Sequence, residues 1–280
     1  MTGFGRRLQD TLATQGPLCV GIDPHERLLA DWGLSASAAG VREFGLRVVD
    51  AAAGRVGIVK PQVSFFERWG SAGFAALEEV LAEARGRGLL VIADAKRGDI
   101  GTTMDAYARA WLTPGSPLEA DAVTLSPYLG VGALIGTLDY AVAQGKGAFV
   151  LAATSNPEAR RLQAARDGDR SVAAIVIDEV SAFNARTTEE GQWGSVGVVV
   201  GATVDTVAAG IAAAIRPPAP ILAPGFGAQG VEPGDFAHLF QALASPVVAN
   251  ESRSILSAGP ADIVQRIAER AALYSKVNHG

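Results

Sequence analysis

The 280-residue chain is 49% hydrophobic and carries a formal net charge of −5 at pH 7. That length suits one large core, and the acidic balance, with no strongly basic tract, excludes a general nucleic-acid binder. No apolar run is long enough to span a bilayer and no apolar leader opens the chain, so a cytoplasmic protein without membrane contact is expected.

Short apolar runs recur along the chain at residues 18–22, 56–59, 89–93, 122–125, 148–152, 196–200, 221–223 and 246–249, with stretches rich in Ala, Leu, Glu and Arg between them. They read as strands covered on both faces, each followed by a helix. Eight such units are what a TIM (β/α)8 barrel needs. A doubly wound sheet would need fewer strands and a switch point, and no Gly-x-Gly-x-x-Gly follows the first strand. The single cysteine, Cys19, lies inside the first run, so an intrachain disulfide is excluded and a buried structural thiol in a reducing compartment is expected. Residues 154–195 form a long connection, with a polar segment at 160–170 and a helix-like stretch at 172–184. We read it as a lid or decoration within one domain covering residues 1–280.

Barrel chemistry sits at the C-terminal ends of the strands. Polar residues emerge there repeatedly: Asp23-Pro24-His25, Lys60-Pro61-Gln62, Ser126-Pro127, Thr154-Ser155-Asn156, and Asn250-Glu251-Ser252-Arg253. Many such residues also favour turns and helix caps for local reasons. The third strand is the most informative. Its run Val91-Ile92-Ala93 turns abruptly charged, and the period of two puts Asp94 and Lys96 on one side of the strand end. Asp99 follows beyond a turn at Gly98. A cluster of that kind is costly to desolvate without a functional reason. Read blandly, Asp99 caps a helix starting near Gly101, and Asp94 with Lys96 is an ordinary ion pair.

After strand seven, Gly225, Gly227 and Gly230 let backbone amides approach a ligand closely, as a phosphate cradle requires. Arg253 at the next strand end can grip a phosphate through two donors. Barrels often place phosphate sites after strands seven and eight.

The block Asp94-Ala95-Lys96-Arg97-Gly98-Asp99-Ile100-Gly101 resembles the signature of the orotidine 5′-phosphate decarboxylase family, and the similarity is closest to its longer bacterial, actinobacterial-type subgroup. Gly21-Ile22-Asp23-Pro24, Val59-Lys60-Pro61-Gln62, residues 152–157 and residues 224–230 extend it in order over most of the chain. The resemblance implies a homodimer with shared active sites that converts orotidine 5′-phosphate (OMP) to uridine 5′-phosphate (UMP) with no cofactor and no metal. It implies a charged array of Lys60, Asp94, Lys96 and Asp99, with Lys96 as general acid and Asp99 reaching into the partner's site. It implies that Asp23 contacts the ribose, that Thr103 is donated to the neighbouring site, that Ser126 meets the pyrimidine, and that Gln229 and Arg253 hold the phosphate. Ser252 departs from the pattern, since many relatives carry glycine there.

The residue types suit that reaction. Loss of the carboxylate leaves a vinylic carbanion, and no thiamine, pyridoxal or metal motif is visible to act as an electron sink. Charge placement must then do the work, with Asp94 opposing the substrate carboxylate and Lys96 stabilising and protonating the carbanion. Two other readings stand beside it. Related phosphate-binding barrels with a D-x-K-x-x-D strand use magnesium for aldol chemistry, and a non-catalytic phosphoribosyl-ligand sensor would keep only the phosphate grip.

Overall fold

Strands rich in Val, Ile, Leu and Ala form here because both of their faces are covered, and β1 (Leu18–Ile22), β4 (Ala122–Leu125) and β6 (Val196–Val200) are buried at every residue. The computed structural model describes residues 2–211, 214–243 and 245–278. The other barrel strands are β2 (Ile58–Pro61), β3 (Leu90–Arg97), β5 (Gly147–Ala153), β7 (Ile221–Pro224) and β8 (Val247–Glu251). All are parallel and each pairs with the next in sequence. Pairing of β8 with β1, which sets Leu18 opposite Ala249, closes the barrel. The expected (β/α)8 barrel is the observed fold, in a single domain.

Helices cover the outside. Ala38–Ala52 buries Val41, Phe44, Val48, Val49 and Ala52 along one face, and the hydroxyl of Ser37 caps it by accepting the Gly40 amide. The connection after β5 holds a short helix (Arg160–Gln163), a hairpin of two two-residue strands (Arg166–Asp167 with Arg170–Ser171), and the barrel helix Val172–Thr187. One of the eight expected βα units differs. The described residues between β6 and β7 form turns, with Asp205 accepting the Ala208 amide. No helix among the described residues is long and apolar enough to cross a membrane.

Three strand ends lie two or more residues further along than hydrophobicity suggests. β2 runs to Pro61 rather than residue 59, β3 to Arg97 rather than 93, and β8 to Glu251 rather than 249. In each case charged residues stay in the strand because ion pairs neutralise them. Glu251, fully buried, accepts from the Arg270 guanidinium, from Tyr274 Oη at 2.8 Å and from Ser254 Oγ at 2.6 Å.

An N-terminal helix that the apolar pattern does not announce, Phe4–Gln15, plugs the opposite end of the barrel. Phe4 packs edge-on against Phe149 with ring centroids 6.0 Å apart, and Gly147 leaves the space its ring occupies. Phe4 and Leu8 join Cys19, Ile58, Ile92, Leu222 and Val248 in the inner core. The barrel axis is thus filled with apolar side chains below its C-terminal mouth.

Candidate active site

Alternate residues of each strand face the barrel axis. Ile58, Ile92, Ala122, Phe149, Leu222 and Val248 belong to the apolar inner layer. Two residues further along the same strands come Lys60, Asp94, Thr124, Leu151, Pro224 and Asn250. All six line a cavity of about 320 Å3 at the C-terminal mouth. The strand period therefore lifts one ring of side chains out of the packed core and into a site.

Asp94 is the centre of that ring. Its Oδ2 accepts from Lys60 Nζ at 2.8 Å and its Oδ1 from Lys96 Nζ at 2.6 Å. Asp94 and Lys60 are buried, whereas the Lys96 side chain is 45% exposed and reaches the open cavity. Burial by itself would raise the Asp94 carboxyl, but attraction to Lys60 and Lys96, with a hydrogen bond from each, holds it far below the usual carboxylate range. For Lys60, burial opposes the charge, yet Asp94 and then Asp23 keep the ammonium above its ordinary value. The pair is ionised, with two positive groups on one carboxylate. Unit charges about 4 Å apart interact by roughly 4 kcal/mol at an effective dielectric near 20, so small displacements here carry large consequences.

A hydroxyl completes the arrangement. Thr124 Oγ1 accepts the Lys96 amide at 2.9 Å and donates to Asp94 Oδ1 at 2.9 Å. The spacing of Asp94 and Lys96 puts both on the expected side, but by a different route from simple alternation. The β3–β4 register shifts between Ala93 and Arg97, and Lys96 takes a positive φ of 48°. A bulge rather than a regular pleat aims the lysine.

The far wall of the cavity comes from the last two strand ends. Gly225, at φ 116°, turns the chain so that Gln229 folds back against it, and Ala228, Gln229 and Arg253 line the mouth. Arg253 makes no ion pair or side-chain hydrogen bond to the described residues, so its guanidinium can serve a ligand. Asp23 Oδ1 and Ser252 Oγ line the same cavity and are buried without a partner among the described residues. Such atoms cost stability unless a ligand satisfies them. Asp23, Lys60, Asp94, Lys96, Gly225, Gln229 and Arg253 are thus brought together, as the sequence suggests. Thr124, Asn250, Gln62 and residues 154–156 line the site as well, without having been assigned a role from sequence. The inward register of Thr124 and Asn250, one step above the apolar layer, is the signal that finds them.

Four predicted residues do not line this cavity. Gly227 packs on Ser254 instead, at φ 70°. Ser126 lies against Gly98, where a side chain would strike the Ser126 carbonyl, and it is not among the residues lining its own chain's cavity. Asp99 and Thr103 stand on the outer lip. Asp99 Oδ1 accepts the Ile100 amide at 2.8 Å, and the helix Gly101–Leu112 has Ile100 at its N-cap with no side-chain cap bond. Asp99 is therefore not the helix cap of the bland reading. A wider cleft of about 1000 Å3 opens at the other end of the barrel, but Arg55 is the one ionisable side chain among its described lining residues. It offers no comparable chemistry.

The model of the orotidine 5′-phosphate decarboxylase / HUMPS family matches residues 16–267. The chain belongs to this family. It is 51% identical over 261 residues to an orotidine 5′-phosphate decarboxylase of Salinispora arenicola, covering 93% of this chain and 92% of that one. The enzyme of the same name in Corynebacterium glutamicum is 48% identical over 278 residues, covering 96% of each chain. Among solved structures, one from Streptomyces avermitilis described as an orotidine 5′-phosphate decarboxylase superimposes with a TM-score of 0.93 at 46% identity, over 100% of this chain and 97% of that one. A Leishmania donovani OMP decarboxylase superimposes at 0.77 with 30% identity, over the whole of both chains. The stretch matched by the orotidine 5′-phosphate decarboxylase family runs from before Asp23 to beyond Arg253, so membership covers the cavity as well as the barrel.

Proposed function

We infer that this chain decarboxylates OMP to UMP, the closing step of UMP synthesis, and that it does so by charge placement alone. The observation that carries the reading is the buried Asp94 carboxylate held between the Lys60 and Lys96 ammonium groups on the cavity floor. With the phosphate at Arg253 and Gln229, the pyrimidine ring lies across the cavity and its C6 carboxylate approaches Asp94. Repulsion between the two carboxylates is relieved as carbon dioxide leaves. The electron pair left on C6 is stabilised by the Lys96 ammonium, which then transfers its proton to that carbon. Lys60 stays protonated and keeps Asp94 ionised. Asp23, with its free buried oxygen, accepts from a ribose hydroxyl. The phosphate grip is remote from the reacting bond and supplies the binding energy that holds the ring in place.

A homodimer belongs to this reading. Ile100, Tyr128 and Leu129 are large apolar side chains left 61%, 76% and 53% exposed on the lip that carries Asp99 and Thr103. A second copy seated there covers them and brings Asp99 and Thr103 toward its own cavity, completing the Lys-Asp-Lys-Asp array.

The test is a spectrophotometric assay of OMP in the presence of EDTA. Loss of substrate absorbance with UMP as product, unaffected by the chelator, supports the reading. No turnover of OMP, together with magnesium-dependent and formaldehyde-dependent aldol activity, replaces it with the second chemistry. Both Asp94 oxygens already receive ammonium groups, an arrangement a divalent cation would have to displace. Binding of OMP without any reaction would leave a ligand sensor.

Arg253→Ala should weaken binding of UMP by about 10- to 100-fold and leave uridine nearly unchanged, because one charge-assisted phosphate contact is lost. Calorimetric titration with both ligands reads the difference. Equal losses for nucleotide and nucleoside contradict the phosphate assignment.

A further inference from the structure

Lys96 is the one non-glycine residue with a positive φ among the described residues. A side chain rarely adopts that conformation, and it persists where the surroundings impose it. The cause lies in the β3–β4 ladder. Ala93 pairs with Val123 and Arg97 with Leu125, so the residues between on β3 bulge against a shorter stretch of β4. Within the bulge the Lys96 amide turns to a side chain of β4. Thr124 supplies the acceptor from its side chain, at 2.9 Å.

That hydroxyl has one proton, and it goes to Asp94 Oδ1 at 2.9 Å, the same oxygen that receives Lys96 Nζ. One buried oxygen, on a residue only 1% exposed, thus fixes the backbone of the lysine and the carboxylate that steers its ammonium group. Both hydrogen bonds run to members of the charged array.

We propose that Thr124 is a positioning residue for proton delivery: its hydroxyl holds Lys96 in the bulged conformation and Asp94 in the orientation that places the Lys96 ammonium over the reacting carbon. The proposal rests on Lys96 being the proton donor. The Thr124 hydroxyl is committed to Lys96 and Asp94 and makes no hydrogen bond to Gln229 or Arg253, so its loss should act on the chemical step more than on binding.

The experiment compares kcat and KM for OMP, and affinity for UMP, in Thr124→Val, Thr124→Ala and Thr124→Ser. Valine keeps the shape of threonine and removes the hydroxyl. It should lower kcat by about 10- to 100-fold, the worth of a buried hydrogen bond to a charged group. KM and UMP affinity should stay within about twofold. Serine restores the hydroxyl and should return kcat to within about threefold of the parent. Should valine prevent folding, alanine provides the same deletion without the branched methyls, and the alanine–serine comparison stands in its place. Parental kcat in the hydroxyl-free variants overturns the proposal. So does a joint loss of kcat and UMP affinity that serine fails to rescue, since that marks a purely structural role. Lys96→Ala run alongside separates the two levels. If it is inactive while Thr124→Val is fully active, only the role of Thr124 falls. If Lys96→Ala is itself active, the reading beneath falls with it.

Discussion

Lys96→Ala should reduce turnover of OMP by about ten-thousand-fold or more while leaving the barrel folded and able to bind UMP. The variant loses the proton donor and the positive charge nearest the developing carbanion together, and general-acid and electrostatic contributions of this kind are each worth about 100-fold to several thousand-fold. The fold survives because Asp94 keeps the Lys60 ammonium at 2.8 Å and the Thr124 hydroxyl at 2.9 Å. The buried carboxylate is never left alone. Lys96 itself is largely outside the packed core, so its truncation opens no cavity there. Steady-state kinetics with a UMP titration on the same sample checks both halves, and near-parental kcat rules Lys96 out as the general acid.

The second large effect concerns two subunits. Lys96→Ala and Asp99→Ala should each be inactive as purified and should recover activity when mixed under conditions that exchange subunits. Asp94 and Lys96 face the cavity of their own barrel, whereas Asp99 stands on the lip beside exposed Ile100. If Asp99 serves the partner, a mixed dimer has one site with both lesions and one with neither. Random exchange puts about half the dimers in that form, which gives at most roughly one quarter of parental activity by counting sites. Lys96→Ala mixed with Asp94→Ala must not recover, because those residues share one site and each mixed dimer carries one lesion in each. Demonstrated exchange without recovery for the first pair contradicts the shared site.

Much of this was legible in the residues because a barrel concentrates its chemistry where apolar strands stop. Asp23, Lys60, Asp94, Lys96, Gln229 and Arg253 follow apolar runs in sequence and converge on one cavity in space. What escaped has physical reasons. Hydrophobicity ends a strand at its first charge, yet Lys60 and Asp94 neutralise one another inside the barrel mouth and Arg270 neutralises Glu251, so β2, β3 and β8 continue. The helix Phe4–Gln15 buries only a few residues, and its mixed polar sequence does not mark it as the plug of the barrel. The bulge at Lys96 depends on a register that two strands set jointly, which neither strand encodes alone. Thr124 reads as an ordinary strand residue until its neighbours are known. Ser126 follows strand four in sequence, but it lies against Gly98 and is not among the residues that line its own chain's cavity.

The most direct test of the account replaces the Lys96 ammonium chemically. Lys96→Cys is inactive by the same reasoning as Lys96→Ala, and alkylation with 2-bromoethylamine converts the new thiol into a near-copy of the lysine side chain. The natural Cys19 does not interfere, since it is fully buried and burial pushes its thiol up to about 12. Decarboxylation of OMP should return on alkylation, in proportion to the modified fraction measured by mass spectrometry, while Lys96→Ala given the same reagent should stay inactive. Full modification without recovery in a protein that still binds UMP, or an unmodified cysteine variant that turns over OMP at the parental rate, would contradict the account.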